Sequence, residues 1–547
     1  MRRVPLLAFL AFLALLALLA LLAPVAAEAE QYDVLLTGGR IIDGTGAPAF
    51  AGDVAIRGDR IVAVARGRLP ADRAARVVDV TGLVVAPGFI DLHAHLEPLL
   101  RMPDAESHVR QGVTTAIGNP DGGGSYPIGE YLSRVEQLPL GMNVGFFVGH
   151  NTVRRQVMGL ADRDPTPAEL YRMKEMIARG MGDGAFGIST GLFYLPGTFS
   201  KLDEVVELSK AAADSGGIYT SHLRKEGIGL LDGVAEAIEI GRRARLPIML
   251  THHKAIGPRM RGASATTIAM IDSARAAGVD VMADQYPYTA TSTGLGALVP
   301  PWAQEGGDSA FTRRVQDPAL RDSIKAGIVW NLINDRGGGD LRRVQFSGVS
   351  WMKELEGKTL ADWAATKGLE PTPENGAELV IEGMLKGGSS MIYHVLDEQD
   401  VERIMRYRWT MIASDGRLSR PGEDHPHPRA YGTFPRVLGL YVREKKVLAL
   451  EDAVRKMTAL PAWRIGLQDR GRIAEGMVAD LAVLDPAVVA DKATFAEPHQ
   501  YPEGIRYVIV NGVVVVEEGQ FTAARSGKVL RRPAGRHRAS EGPPPAP

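Results

Sequence analysis

The stretch Ala86-Pro-Gly-Phe-Ile-Asp-Leu-His93-Ala-His95 carries the strongest structural signal in this sequence. It places two imidazoles two residues apart at the end of an apolar run that already begins at Val84-Val85. Because residues i and i+2 of a strand point to the same face, both rings can reach one metal ion. The stretch therefore predicts a buried strand, bounded by a Pro-Gly turn, that carries a pair of metal ligands.

The composition is that of a globular protein with a large core. Of the 547 residues, 45% are hydrophobic and 23% are charged, which excludes the disordered and fibrous classes. Lys and Arg together number 63 and Asp and Glu number 64, so the chain is nearly neutral. This balance argues against nucleic acid or an anionic membrane surface as a partner and favours a small-molecule substrate.

The N-terminus has the pattern of an export signal. Arg2-Arg3 precedes an uninterrupted apolar run over residues 6–23, which small residues follow. We predict that residues 1–27 are a signal peptide and that the protein is exported, either periplasmic or secreted. The apolar run is also long enough for an uncleaved membrane anchor, and no other membrane contact is expected. The absence of cysteine excludes disulfides and a lipoprotein anchor.

Both ends of the chain outside this signal look like β structure. Residues 32–85 contain short strand-like runs separated by turns, and residues 470–529 have the same texture. Regularly spaced short strands favour a small sandwich, so we expect the two segments to pair into one β-sandwich domain. Residues 533–547, which end in a proline-rich run, are predicted to be a disordered tail.

Between these segments, over residues 86–469, strand-like runs alternate with helical ones. Counting the run that ends at His95 gives eight such units, the number that a TIM-like (β/α)₈ barrel needs. The predicted fold class is therefore α/β, with a barrel, the β-sandwich from both chain ends and an inserted subdomain at about residues 293–389. That interval is too long for a single connection, and its Gly337-Gly-Gly run favours an insertion or lid.

Polar side chains stand at the predicted strand ends, where reactive groups of such barrels gather. Imidazole suits zinc and related divalent ions, and a carboxylate can ligate a metal or act as a base. The sequence therefore predicts a divalent metal ion, zinc in the first place, near these residues. The strand-end groups are His93, His95, Asn119 to Asp121, His222, His252, Asp284 and Asp415.

Several longer segments carry a specific resemblance. They are Pro103-Asp-Ala-Glu-Ser-His-Val-Arg-Gln-Gly-Val-Thr-Thr, Ser189-Thr-Gly-Leu-Phe-Tyr194, Thr220-Ser-His222-Leu-Arg224, Thr251-His252-His253-Lys254, Tyr286-Pro-Tyr288, Ser414-Asp415-Gly416, His425-Pro-His427-Pro-Arg429 and Gly432-Thr-Phe-Pro-Arg-Val-Leu-Gly. Through them the chain resembles the amidohydrolase superfamily and, within it, the D-aminoacylase (N-acyl-D-amino-acid deacylase) family. The resemblance extends over about residues 33–519.

The resemblance implies roles for individual residues. A substrate carboxylate would be bound by groups such as a guanidinium, whose fork geometry suits it. The residues matched to that carboxylate are Lys254, Tyr286, Ser292 and Arg429. The implied metal ligands are His222 and His252, with His93, His95 and Asp415 around the same centre. As structural alternatives, Lys254 is a solvated charge and Tyr286 a core aromatic.

Two further histidines have less specific positions. His253 follows a predicted ligand directly and should point to the opposite face, which favours a supporting or structural role. His150 also falls at a predicted strand end. It either faces the substrate or is satisfied within the core.

The chain departs from the family at one predicted ligand. Well-known members place a cysteine ligand in a Gly-Asn-Cys-Gly context, whereas this chain reads Gly118-Asn119-Pro120-Asp121-Gly122. Proline cannot ligate a metal. Either Asp121 supplies a hard oxygen in place of the thiolate, or it only opens the glycine-rich turn and the histidines hold the metal alone.

These residues predict a metal-dependent amide hydrolase. Asp415 would take a proton from the attacking water and pass it to the leaving nitrogen, while the metal activates water and carbonyl. The expected reaction converts an N-acyl-D-amino acid to a carboxylic acid and a free D-amino acid, and the D preference comes from the resemblance alone. The alternatives are a dipeptidase or cyclic amidase on the same barrel, or a non-catalytic metal or amino-acid binding protein.

Overall fold

The computed structural model describes residues 32–533. The predicted signal peptide, and all but the first residue of the predicted tail, lie outside these residues. Within residues 32–533 none of the helices combines the length and apolar character needed to cross a membrane. The described chain is a mixed α/β protein, as the alternation of strand-like and helical runs predicts.

One sheet contains strands from both ends of the described chain. Its central pairing is antiparallel, between Leu481–Leu484 and Val84–Pro87, and side chains such as Val54 and Val483 fill one hydrophobic cluster against it. Because Val84–Pro87 leads directly into Phe89–Asp91, this sheet fixes where the His93 segment starts. Its nine strands within residues 32–533 are Tyr32–Ile41, Phe50–Arg57, Arg60–Ala65, Ala74–Asp79, Val84–Pro87, Leu481–Leu484, Ile505–Val510, Val513–Glu517 and Gln520–Phe521.

Parallel strands form the middle of the molecule in three hydrogen-bonded groups rather than in one closed sheet. The first group contains Phe89–Asp91, Val113–Gly118 and Asn143–Phe146. The second contains Val148–Gly149, Gly187–Gly191, Ile218–His222, Ile248–Leu250, Val281–Gln285 and Thr410–Ile412. The third contains Ala94–His95 and Gly416–Arg417.

Backbone hydrogen bonds also join these groups. Phe186 N donates to Phe146 O at 3.0 Å, next to the start of Gly187–Gly191. At the other join, Asp415 N donates to His93 O at 2.8 Å. The last strand of the chain order therefore lies beside the first, and the His93 and Asp415 segments are neighbours.

Helices connect the parallel strands and cover them. Pro167–Gly182 shows why they form: Thr166 and Glu169 make a capping box, and Pro167 occupies the first helical position, where proline is favoured. Outside the insertion the helices are Glu106–Val109, Ile128–Val135, His150–Met158, Pro167–Gly182, Leu202–Asp214, Leu230–Ala244, Ser264–Ala276, Glu398–Arg406, Arg429–Arg436, Leu450–Met457 and Ala459–Arg464, and Val437–Glu444 is a π-helix. Short 3₁₀ turns are Ala71–Arg73, Glu97–Leu100, Gly197–Phe199 and Pro258–Met260.

Between the strands Val281–Gln285 and Thr410–Ile412 the chain builds a second compact unit. It has its own hydrophobic cluster, centred on side chains such as Phe346 and Trp363. Its antiparallel strands are Thr291–Gly294, Val344–Gly348 and Ser390–Tyr393. Its helices are Pro301–Gln304, Asp308–Gln316, Pro318–Asn334, Leu360–Thr366 and Pro373–Leu385, with 3₁₀ turns Leu295–Leu298, Leu341–Arg343 and Lys353–Leu355.

Candidate metal centre

Six of the predicted strand-end groups come together at one place, whereas Asn119 donates to Phe147 O and Asp284 accepts from His252 N. The potential ligand atoms of these six form two groups, each with all atoms within 4.8 Å of one another. Asp121 belongs to both groups, so the two are adjacent parts of one cluster. The first group is His93, His95, Asp121 and Asp415, and the second is Asp121, His222 and His252.

Asp121 lies at the centre of this cluster. Its Oδ1 atom is 3.4 Å from His93 Nε2, 3.3 Å from His252 Nε2 and 3.7 Å from His222 Nδ1. Its Oδ2 atom is 3.7 Å from His95 Nε2. The residue after Pro120 therefore faces four imidazoles with its carboxylate, in addition to starting the glycine-rich turn.

Many polar atoms of the cluster are buried without a hydrogen-bond partner among residues 32–533. They include both ring nitrogens of His93, the cluster-facing Nδ1 of His222, His252 Nε2 and Asp121 Oδ1. A buried polar atom without a partner costs free energy, and native proteins rarely leave several together. Imidazole nitrogen with carboxylate oxygen is a donor set that suits zinc, manganese or cobalt. The residues present therefore fit a divalent metal ion.

The backbone at three of these positions adopts an unusual conformation. The φ angle is +55° at Asp121, +37° at His252 and +49° at Asp415, although none is glycine. Such angles are uncommon for residues with a Cβ and concentrate at functional sites. Each residue lies just beyond a strand, and the backbone after Leu250 is further held because Asp284 Oδ1 accepts from His252 N at 2.5 Å.

Asp91 ties the first and last parallel strands together. Its Oδ1 atom accepts from the backbone N–H groups of His93 at 3.1 Å and Ser414 at 3.0 Å, and Ser414 Oγ donates to its Oδ2. Burial raises the pKa of Asp91 to about 6, and these hydrogen bonds only partly oppose that rise. The sequence analysis missed this role, although Asp91 stands two residues before His93.

The ionised carboxylates of the cluster favour a positive charge bound among them. Burial alone would raise the pKa of Asp121 and Asp415, but neighbouring basic side chains keep the pKa of both carboxyl groups well below its usual range. Those neighbours are His93 and His252 for Asp121, and Arg429 before the histidines for Asp415. Burial and Lys254 lower the pKa of His252, yet surrounding carboxylates raise it overall to about 9. The same field that binds a proton there also attracts a metal cation.

Lys254 and Arg429 are buried beside the cluster rather than solvated. Lys254 is 6% exposed, and its Nζ donates to Glu226 Oε1 at 2.5 Å and lies 2.7 Å from His252 Nδ1. Arg429 Nη1 is 2.7 Å from Asp415 Oδ2. Its guanidinium carbon lies 4.7 Å from the centroid of the Tyr286 ring, so this buried tyrosine supports a charged residue.

Two open cavities meet at the cluster. A cavity of about 330 Å³ reaches the histidine groups and Lys254, and a second of about 750 Å³ lies between Arg429 and the inserted unit. Both are lined by His95, Ser292, Thr293 and Asp415. Ser292 Oγ donates to Met391 O at 2.9 Å, which holds it at this junction.

The other two candidate histidines, His150 and His253, make their hydrogen bonds outside the cluster. His253 Nε2 lies 2.7 Å from Thr267 Oγ1, which agrees with a structural role. His150 Nε2 lies 3.0 Å from Glu204 Oε1 in the core, so the core interpretation of His150 is the one that the geometry favours. Sequence reasoning missed Glu226, which lies 3.2 Å from His222 Nε2. No local pattern pointed to Glu226, because it follows the strand end at His222 in a loop rather than sharing a helix with it.

The family model of the amidohydrolase family matches residues 76–516. The chain belongs to this family. D-aminoacylase of Alcaligenes xylosoxydans xylosoxydans is 38% identical to it over 535 residues, which cover 93% of this chain and 99% of that protein. The family assignment made from the sequence motifs is therefore confirmed, and this amidohydrolase groups with the D-aminoacylases.

Solved structures of relatives share its architecture. N-acyl-D-glutamate deacylase from Bordetella bronchiseptica, complexed with zinc and a phosphonate inhibitor, is 34% identical with a TM-score of 0.78. A D-aminoacylase studied for its binuclear metal centre is 36% identical with the same TM-score. Each comparison covers 92% of this chain and 100% of the relative. The chain thus has the amidohydrolase fold of metal-dependent deacylases.

Proposed function

We propose that this amidohydrolase cleaves the amide bond of N-acyl-D-amino acids, releasing a carboxylic acid and a free D-amino acid. The observation that carries the proposal is the cluster of unpartnered histidine nitrogens around Asp121, placed directly beside two buried cations. A metal-binding cluster suits amide hydrolysis, and the adjacent Lys254 and Arg429 suit a substrate with a free carboxylate. The deacylase relatives support the same substrate class.

The metal would be held by His93, His95, His222, His252 and Asp121. Zinc is the first choice, because nitrogen and oxygen donors suit it and a relative's structure contains it. When bound, a divalent ion supplies Lewis-acid polarisation of the amide carbonyl and a lower pKa for water. An all-nitrogen-and-oxygen donor set also suits manganese and cobalt, since it lacks the soft thiolate.

Asp415 is the proposed general base and acid. In this structure Arg429 pairs with it at 2.7 Å and lowers its pKa after the opposing effect of burial, which weakens it as a base. A substrate carboxylate that draws Arg429 away would relieve that pairing. Asp415 then takes the proton of the attacking water and hands it to the leaving nitrogen.

The substrate carboxylate would be bound by Lys254, Tyr286, Ser292 and Arg429. Lys254 and Arg429 now pair with Glu226 and Asp415, so both are placed to exchange a protein carboxylate for that of the substrate. The two cavities that share Ser292 leave room for the acyl group and the amino-acid side chain. Binding of the carboxylate at these residues would orient the amide relative to the attacking water.

We further propose that the three groups of parallel strands form a (β/α)₈ barrel, with residues 86–469 as its domain and about 293–389 as an insertion. The hydrogen bonds from Phe186 to Phe146 and from Asp415 to His93 support a closed ring. Residues 32–85 and 470–529 would form the accompanying β-sandwich domain. The active sites of such barrels lie at the C-terminal ends of the strands.

Export of this enzyme is also proposed, with residues 1–27 as its signal peptide. The support is the charged start, the apolar run and the small residues that follow it. N-terminal sequencing of the protein from its native cell fraction tests this. A mature N-terminus near residue 28 in the periplasm or medium supports export, and an intact N-terminus in membranes supports the anchor.

The activity is tested with zinc-saturated protein and matched N-acetyl-D- and N-acetyl-L-amino acids, including leucine and glutamate. Free amino acid is measured by a ninhydrin or oxidase-coupled assay. Release from the D substrates alone supports the proposal. Cleavage only of dipeptides or cyclic amides, assayed in parallel, would instead support the alternative amide hydrolases and contradict the deacylase assignment.

A further inference from the structure

Glu226 is a buried acid that the proposed reaction does not use. It lies in the loop after Ile218–His222, it is 3% exposed, and it is surrounded by His222, His252, Lys254 and Arg336. A buried carboxylate is costly unless charged or hydrogen-bonding partners compensate it. Four such partners around one carboxylate indicate a position that the fold actively maintains.

The position of Glu226 relative to the two histidines is specific. His222 faces Asp121 Oδ1 with Nδ1 at 3.7 Å and Glu226 Oε2 with Nε2 at 3.2 Å. His252 faces Asp121 Oδ1 with Nε2 at 3.3 Å and Glu226 Oε1 with Nδ1 at 3.2 Å. Each ring thus lies between Asp121 and Glu226, and at His252 the Nζ atom of Lys254 is a second neighbour of Nδ1, at 2.7 Å. Histidine ligands typically donate the far N–H to such a group, which fixes tautomer and ring orientation.

Arg336 reaches this carboxylate from the inserted unit. It follows the helix Pro318–Asn334 and is 2% exposed. Its Nη2 atom lies 3.8 Å from Glu226 Oε2, and its guanidinium carbon lies 4.4 Å from the centroid of Phe193. The Phe193 ring in turn lies 5.8 Å from that of His222. The insertion therefore contacts the surroundings of His222 both by charge and by packing.

The backbone around this contact is tightly interlocked. Ile256 N donates to Glu226 O at 2.8 Å, which joins the loops after the His222 and His252 strands. A Cβ at Gly227 would lie 1.8 Å from Asp335 Oδ1, and one at Gly257 would lie 2.7 Å from Asp335 O. Neither glycine leaves room for a side chain at this contact. The loops that carry Glu226 and Arg336 thus pack closely against each other.

We propose that Glu226, held by Arg336 of the inserted unit, is the positioning residue that orients both His222 and His252 toward the metal. The inference rests on the proposed metal centre and adds a role for the insertion. Lys254 is the second cation on Glu226, but in the proposed reaction it turns to the substrate carboxylate. Arg336 then remains as the constant counter-charge, so the orientation of the histidines survives substrate binding.

The test is an equilibrium titration of metal-free protein with zinc alone, by competition with a chelator. Changes to residues that hydrogen-bond metal ligands typically weaken metal affinity by about 10–100-fold, and we expect that loss for Glu226→Gln. Arg336→Met should weaken affinity in the same direction but less, because Arg336 acts on the histidines only through Glu226. Arg336→Lys keeps the charge and should recover part of the affinity. The visible spectrum of the cobalt-loaded protein should also change in Glu226→Gln, because ring orientation alters the ligand field.

Glu204→Gln is the matched control, since Glu204 is equally buried and also contacts an arginine and a histidine, Arg154 and His150. It should keep the zinc affinity and cobalt spectrum of the wild type even where it lowers thermal stability. Wild-type zinc affinity in Glu226→Gln and Arg336→Met, or an equal loss in the control, would overturn the inference. A wild-type protein that binds no zinc would instead refute the proposed function, and this inference with it.

Discussion

Two buried clusters of this amidohydrolase contain the same kinds of residue but differ in how their polar atoms are used. In the core cluster, Glu204 lies 3.0 Å from both His150 Nε2 and Arg154 Nε. Arg154 also donates to the carbonyl oxygens of Ala161 and Arg163. In the metal cluster, by contrast, both ring nitrogens of His93 lack a hydrogen-bond partner among residues 32–533.

The difference separates a structural polar cluster from a functional one. In the core cluster the donors and acceptors bond to one another, so these hydrogen bonds stabilise the folded protein without any ligand. The metal cluster leaves nitrogen and oxygen atoms facing a cavity, and it holds His252 and Asp415 at positive φ angles. Such a cluster reaches its best free energy only when a ligand binds. Substitutions in the two clusters should therefore affect different measured quantities.

The largest effect is expected at Asp415. Asp415→Asn should lower kcat by about 10²–10⁴-fold, the usual contribution of general acid–base catalysis. The purified variant should still hold zinc, because Asp121, His222 and His252 form a ligand group without Asp415. Steady-state kinetics and metal analysis check both parts. Unchanged turnover would remove Asp415 from the mechanism.

The next effect is expected in the core cluster. Glu204→Gln leaves Arg154 buried without its carboxylate, and breaking a buried ion pair typically costs about 3–5 kcal/mol. Urea unfolding should show that loss in the free energy of unfolding. Zinc affinity should not change. A loss of affinity comparable to the loss of stability would erase the distinction between the two clusters.

A smaller effect is expected at Asp121, and here zinc affinity rather than the free energy of unfolding should change. Asp121→Asn removes the anion shared by both ligand groups, so zinc affinity should fall by more than the roughly 10–100-fold typical of residues that only support ligands. Asp121→Cys should restore affinity and shift preference toward soft metals. Chelator competition with zinc and manganese measures both variants. Wild-type affinity in Asp121→Asn would favour the interpretation in which Asp121 only opens the turn.

The smallest effect is a pH dependence at a satisfied lysine far from the cavities. Lys456 is buried and donates to Tyr407 O and Thr410 O, and burial lowers its pKa to about 8. Between about pH 8 and 10.5 the unfolded chain binds this proton and the folded chain does not. Stability should therefore rise with pH there, by at most about 1.4 kcal/mol per pH unit.

The control for Lys456 is Lys456→Met, which removes the titrating group. The difference in unfolding free energy between the two proteins, measured across this range, isolates the lysine from other titrating groups. A difference independent of pH would show that Lys456 keeps its proton in the folded state.

Much of the candidate site could be predicted because its groups stand at strand ends. His222 and His252 each follow a short apolar run, and parallel strands bring such ends to one edge. The family prediction was confirmed by the family match, and some of the motifs that carry it, such as Thr251-His252-His253-Lys254, lie at those ends. The sequence offered Asp121 as a candidate ligand but could not decide between a ligand and a turn residue. An Asp before three glycines is equally typical of a turn.

The other residues of the site could not be predicted, because their roles depend on tertiary contacts that no local sequence pattern encodes. Arg336 belongs to an insertion, and only tertiary packing brings it within 3.8 Å of Glu226. Asp91 stands two residues before His93 in the sequence. Its role in joining the first and last parallel strands, however, comes from a hydrogen bond with Ser414, 323 residues away in the chain. The partners of Lys254 and Arg429 are likewise set by packing. Such residues act through others, so their own sequence neighbourhoods carry little signal.

The most direct test of the central claim is the metal-to-protein ratio of the purified protein after zinc loading and exhaustive dialysis against metal-free buffer. The unpartnered atoms around Asp121 predict at least one tightly held zinc ion per chain in the wild type and in Glu204→Gln. They predict its loss when the four histidines that face Asp121, namely His93, His95, His222 and His252, are all changed to alanine. A wild-type ratio near zero, or a ratio unchanged in this fourfold variant, would contradict a metal centre at this cluster.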